Sequence, residues 1–406
     1  MELNRSYEQK STIFIHFGTE YKIHVFIILS VTVFFVGATE FMLSSMLTPL
    51  AVAFGTTAVG VSWLVSSYAF SYALAAPIFG YFADRINRSR LLLISLLFFA
   101  ADGLAIILAP TLNIAITLRI FGGIASAVII PTVFALIADI IPYDRQAGAM
   151  GVVMLGMTFG IAFGPALAGI LTDLINWQAP FLFTSSGCIV TFIIGIYCLP
   201  SQTVPLKPTN QRLVWFRQWP VVRPLIAKGV WNGAGVSAFL LSGEVLRQRY
   251  GFGPTEIGLT VAAFGVGLGL GNLSAGWLRK LCSREEVTLV FVSLLLTGMI
   301  SIFMLVPLTL FGSLGCLIFW GAALGVGAPA STVVLATRAG PNKGMVLAFA
   351  ETFNNLGILC LVPLATIGLI AGGSSTAMVV LSVGLVIGLT LAILDFWLTR
   401  SANPSL

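Results

Sequence analysis

The sequence is short of charge: Asp, Glu, Lys and Arg make up 9% of its 406 residues, against roughly a quarter in a soluble domain. With 58% hydrophobic residues beside them, no aqueous surface can cover a soluble core, and the chain is expected in a bilayer. Histidine is scarcer still. His16 and His24 precede or open the first apolar run, which excludes a proton relay built on buried imidazoles. The five cysteines, Cys188, Cys198, Cys282, Cys316 and Cys360, stand singly with no C-x-x-C pair; neither a zinc site nor a disulfide framework is indicated, and no metal is expected. A G-x-x-x-x-G-K-[ST] loop is absent, so ATP does not drive this chain directly. No nucleophile and base stand together at a bilayer edge, which argues against an enzyme. The longest linker is too short for the soluble output domain of a sensor.

What is present is apolar runs of helical length. Spans are expected near 24–48, 59–83, 91–109, 114–140, 148–172, 180–199, 224–246, 255–278, 287–306, 308–337, 344–370 and 374–399. Residues 1–22 are too polar for a signal-peptide core, and no A-x-A site follows, so the first helix is expected to stay. Of 21 Lys and Arg, 17 fall on one side of these spans; the other side has only Arg247 and Arg249, while Arg119 and Lys228 lie within spans. The positive-inside rule then places both termini in the cytoplasm, with segments 1–23 and 400–406 flanking two six-helix halves, 24–199 and 224–399. Between them runs the proline-rich, basic linker 200–223. This distribution also explains the net charge of +6 without nucleic acid.

The halves look related. FGYFADRINRSR at 79–90 matches AGWLRKLCSRE at 275–285 at an offset of 196, and Phe54-Gly55 falls on Tyr250-Gly251 at the same offset. Pro142 and Pro165 are echoed by Pro341 and Pro363. Parallel six-helix repeats of this kind bind substrate at the interface between halves.

Several motifs carry a family resemblance. Gly80-Tyr81-Phe82-Ala83-Asp84-Arg85-Ile86-Asn87-Arg88-Ser89-Arg90 resembles the G-x-L-A-D-R-x-G-R-[RK] loop of the major facilitator superfamily, with Asn87 for the second glycine. Asn tolerates the left-handed conformation, so the tight turn is expected to survive. In the fourth span, Arg119-Ile120-Phe121-Gly122-Gly123 is similar to R-x-x-Q-G, with Gly122 for Gln. In the fifth, Gly160 to Gly169 resembles the antiporter pattern G-x-x-x-G-P-x-x-G-G through Gly160, Gly164, Pro165 and Gly169, with Ala168 replacing one glycine. Gly37-Ala38-Thr39-Glu40-Phe41 resembles the G-x-T-E-F signature of drug and sugar exporters.

The resemblance implies an all-α polytopic protein with twelve transmembrane helices in two pseudo-symmetric bundles, exchanging a small organic compound for protons across a bacterial-type inner membrane. The expected cofactor set is empty, with a proton gradient as energy source, and the partners are a small-molecule substrate and lipid, with the chain itself a monomer. By the same resemblance Asp84, Arg88 and Asp139, beside Gly80 and Arg85, form an inner gate cluster; the plainer alternative is that these arginines only set topology. The runner-up function is transport of a specific metabolite, such as a sugar or siderophore, in either direction.

A coupling carboxylate must be protonated on one side and released on the other. Glu40 lies about 24 Å from the inner end of its span and is the first candidate, with Arg119 as its expected partner; a structural hydrogen bond is the alternative. An arginine at the depth of Arg119 needs a partner or water, unless it snorkels to the interface. Asp102, near the midplane, is second, with a buried structural pair as its plain reading. Glu351 is third, since Asn354 and Asn355 extend it into a polar stripe that faces either substrate or another helix. Lys228 is expected to snorkel. Tyr68, Tyr72, Trp231 and Trp320 are candidate cavity aromatics, with packing as the alternative.

Overall fold

The computed structural model describes residues 23–82, 86–141, 143–200, 213–281 and 284–402. Helices dominate, and no strand occurs among the described residues. The first span is split into α1 (Ile23–Phe41) and α2 (Leu43–Ala53) by a turn at Met42. Ser44 and Ser45 donate their hydroxyls to the carbonyls of Phe41 and Met42 at 2.9 and 3.0 Å, which satisfies backbone acceptors where the helix breaks. The break falls beside Glu40.

There follow α3 (Ala58–Phe82), α4 (Arg88–Leu108), α5 (Leu112–Ile140), α6 (Tyr143–Leu174) and α7 (Ala179–Cys198). After a short 3-10 turn at Leu213–Arg217 come α8 (Trp219–Tyr250), α9 (Pro254–Leu281), α10 (Glu285–Leu305), α11 (Leu310–Ala339) and α12 (Lys343–Ala402). The last of these is two spans in one: Gly372 and Gly373 leave helical geometry, Gly373 with φ 71°. The twelve spans agree with the apolar runs to within a few residues at most ends. The largest differences lie in the first span, which reaches Ala53, and at α6 and α8, which begin earlier at Tyr143 and Trp219. In α8 this start lies inside the stretch read as linker, because Pro220 is tolerated in a first turn and Val221 and Leu225 bury against the bundle. Among the described residues, ten helices are long and apolar enough to cross a membrane. α8 is not among them, since Arg223, Lys228, Glu244, Arg247 and Arg249 dilute its apolar content, yet most of its length is buried in protein.

Two bundles result, α1–α7 and α8–α12, which meet along α6 against α9 and α3 against the first arm of α12. The repeat seen in the sequence has a backbone counterpart. Gly55 and Gly251 both take positive φ, 60° and 72°, ending α2 and α8 in the conformation that glycine adopts without strain. Asn87 departs from expectation: its φ is −59°, and its side chain accepts from the Arg90 N–H at 3.0 Å. It caps α4 rather than occupying a left-handed turn.

Small residues let helices touch. A Cβ on Gly156, Gly160 or Gly164 of α6 would run into the backbone of α1 at Ser30, Phe34 and Ala38. Beyond them the Pro165 carbonyl accepts from Ser45 Oγ at 3.0 Å. Gly169 lies against Pro254, and Gly258 against Pro165, across the two bundles. The glycine pattern of the fifth span is therefore a seam that joins first its own half and then the other. Gly160→Leu is expected to lower the thermal unfolding midpoint in detergent by the equivalent of about 1–3 kcal/mol of overpacking, whereas Gly148→Ala, with nothing within 4 Å, leaves it unchanged; a fluorescence-monitored melt of both variants checks this.

Candidate functional site

Arg119 sits on α5 with 1% of its side chain exposed, and Asp102 on α4 with none. The guanidinium Nη1 donates to Asp102 Oδ2 at 2.6 Å, and its Cζ lies 4.7 Å from the centre of the Tyr68 ring. Charge in hydrocarbon survives only when paired, and this pair neutralises itself. Space for it comes from Gly122, where a Cβ would fall on the Asp102 carboxylate. The substitution of Gly for Gln noted in the sequence thus opens the slot into which α4 inserts its acid. Arg119 does not snorkel, and its hydrogen-bond partner is Asp102 rather than Glu40.

Glu40 stands apart from this pair but on the same small cavity, whose wall also includes Leu43, Tyr68, Arg119, Leu240, Asn355 and Ile358. Both bundles contribute to it. The Glu40 carboxylate is within electrostatic reach of Arg119 and Glu351, yet makes no hydrogen bond or ion pair among the described residues. The cavity has room for little more than a water molecule. Any organic compound must therefore enter a wider state than this one.

Across the cavity, α8 and the first arm of α12 carry the second polar set. Lys228 Nζ is 3.3 Å from Glu351 Oε1 and 3.4 Å from the Thr332 hydroxyl, with 6% of its side chain exposed. The expected snorkelling is overturned, because a carboxylate is nearer than the membrane surface. Asn232 donates to Asn354 Oδ1 at 2.9 Å, so this part of the stripe ties α8 to α12. Asn355 donates to the Glu351 carbonyl at 3.0 Å and faces the cavity, where its buried Oδ1 has no hydrogen-bond partner. Tyr72 is buried within reach of both Glu351 and Glu40. Trp320, by contrast, packs on Phe239, Phe264 and Phe303, and Trp231 against Gly327 and Gly388. Both are core residues of the second bundle, drawn there by ring area, and not cavity walls.

At the end bearing the basic loops, Arg88 pairs with Asp139 and donates to the Ala135 carbonyl at 3.0 Å. Asp84 and Arg85 lie outside the described residues, and Gly80 is in the last turns of α3. The second bundle has a counterpart that sequence reading missed. Arg338, at the end of α11, donates to Glu286 at the start of α10 at 2.8 Å and to Asp395 at 2.9 Å, and Arg223 of α8 is 3.1 Å from Asp395. Here the acid opens α10 and the base ends α11, the reverse of Arg88 at the start of α4 and Asp139 at the end of α5; the repeat offset of 196 sets Arg284, not Glu286, against Arg88. At the opposite end the bundles are pinned together. Thr48 donates to Glu244 at 2.7 Å, and the Thr255 N–H, at the start of α9, donates to Asp173 of α6 at 2.9 Å. Polar residues at helix ends, next to apolar runs, were the available signal for all of these.

Two six-helix bundles around a small cavity of mixed lining, joined to each other by hydrogen bonds, form the architecture of an alternating-access membrane transporter. The sequence profile of the Major Facilitator Superfamily matches residues 29–243 and 225–406, and the chain belongs to that family. It is a membrane transporter and not an enzyme. "Multidrug resistance protein 2" of Bacillus subtilis (strain 168) is 23% identical over 319 residues, 73% of this chain and 76% of the relative. "Quinolone resistance protein NorA" of Staphylococcus aureus (strain MSSA476) is 24% identical over 218 residues, and the match spans 52% of this chain and 56% of that protein. Among solved structures, a bacterial homolog to the human lysosomal transporter Spinster, in an inward-facing and occupied conformation, superposes with a TM-score of 0.72 at 17% identity over 92% of this chain and 97% of that one.

The partly exposed Lys228–Glu351 pair is expected to give a coupling energy of about 0.5–1 kcal/mol in a double-mutant cycle of Lys228→Met and Glu351→Gln. Melting midpoints of the two single variants and the double variant measure it.

Proposed function

We propose that the protein exports small organic compounds in exchange for protons, with the basic end of the bundles in the cytoplasm and Glu40 as the group that accepts proton or substrate in turn. One observation carries this reading. Glu40 has no ionic or hydrogen-bonded partner among the described residues, in a cavity lined by both halves, whereas Asp102 and Glu351 each have a cation within 3.3 Å. Burial penalises a charged carboxylate, so the acid without a counter-ion is the one for which proton or cargo has most to offer. Rocking of the halves would expose it to each side alternately, and the cavity as it stands corresponds to a state closed around Glu40.

Drug-like cargo is supported by the relatives named for multidrug and quinolone resistance, and by the mixed lining of Tyr68, Leu43, Leu240, Ile358 and Asn355, which suits an amphiphile better than a sugar. In everted vesicles with an imposed pH gradient, the protein is expected to accumulate ethidium or a fluorescent quinolone, and Glu40→Gln to reduce this to the level of vesicles without transporter. Unaltered proton dependence in Glu40→Gln would remove Glu40 from the mechanism.

A further inference from the structure

Arg119 is only half satisfied. One arm bonds Asp102, the Tyr68 ring lies under the guanidinium, and the buried Nε has no hydrogen-bond partner. The contact is single-point rather than the two-pronged fork an arginine and a carboxylate can make, and Asp102 Oδ1 is likewise buried without a hydrogen-bond partner. On the cavity side stands a second carboxylate, Glu40, with no counter-ion of its own. Two acids on different helices, α4 and α1, thus flank one arginine. The acid that holds it enters through a slot only glycine allows, at Gly122.

We propose that Asp102 is a positioning residue: it draws Arg119 back against α4 and so keeps the guanidinium from closing on Glu40. The inference deepens the reading in which Glu40 takes the proton, and rests on it for its transport consequence alone. The groups around Glu40 are Arg119 and Tyr68 from its own half and Glu351 from the other, with Tyr72 nearby. Only Arg119 among these has two acids to choose between. Without Asp102, the arginine has one carboxylate left within the cavity, and a cation beside Glu40 favours its ionised form.

Two measurements test this on the full chain. In detergent, Asp102→Asn is expected to lower the melting midpoint, and addition of Arg119→Gln to restore most of it, because the lone charge is then gone. Glu40→Gln, silent for stability in the native chain, is expected to lower the midpoint further in the Asp102→Asn background, where Arg119 depends on Glu40. An equal effect of Glu40→Gln in both backgrounds would overturn the proposal. So would failure of Arg119→Gln to rescue Asp102→Asn, including failure of the double variant to fold. In vesicles with ethidium as probe, the pH profile of efflux by Asp102→Asn is expected to move to more acidic pH by about one unit or more and to return in the double variant. A purely structural role would reduce the rate and leave the profile where it was. If Glu40→Gln alone leaves proton dependence intact, the coupling reading fails, while the stability cycle still decides whether Asp102 governs the partner of Arg119.

Discussion

A charge taken into hydrocarbon must meet its opposite, and almost everything specific in this molecule follows from how that requirement is met. The Arg119–Asp102 pair satisfies it within one bundle, between α4 and α5. Lys228 and Glu351 satisfy it within the other, between α8 and the first arm of α12. The desolvation cost of an unpaired ion, several kcal/mol even after relaxation, far exceeds what packing preferences at a single position can supply. The fully buried Arg119–Asp102 pair therefore fixes which faces of α4 and α5 turn inward, and lipid-facing surfaces are left to Phe, Leu, Ile and Val. Against this rule, the lone carboxylate of Glu40 is the exception that gives the cavity its chemistry.

Close approach supplies the rest. In lipid, no hydrophobic force brings helices together, so contact depends on surfaces that fit. The α6 seam at Gly156, Gly160 and Gly164 puts backbone on backbone with α1, and Gly321 and Gly325 of α11 do the same with α9 at Phe264 and Leu268. Between the bundles, contact is concentrated in α6 with α9 and α3 with the first arm of α12, so the halves meet along two helix pairs.

Much of this was legible in the sequence. Span positions followed from apolar length, and the glycine seam from its spacing, since both are properties of one helix. Facing was not. Arg119 was expected as the partner of Glu40; the two line one cavity, but the ion pair is with Asp102, because the distance from α4 to α5 depends on the absent side chain at Gly122. Lys228 looked like a snorkelling residue from its depth, and only the fold shows Glu351 opposite it. Trp231 and Trp320 carry rings fit for a binding wall, but their direction is set by neighbours far along the chain. The left-handed turn expected at Asn87 gave way to a helix cap, since an Asn side chain serves either purpose and the start of α4 claims it.

Each bundle carries an arginine–acid clasp at the basic end, with the charges on opposite partners: Arg88 opens α4 and Asp139 ends α5, whereas Glu286 opens α10 and Arg338 ends α11. At the repeat offset of 196 the residue in register with Arg88 is Arg284, not Glu286. The two clasps therefore answer one demand, a paired charge where consecutive helices close at the basic end, from different positions of the chain. A change of sign at one of them leaves the other intact.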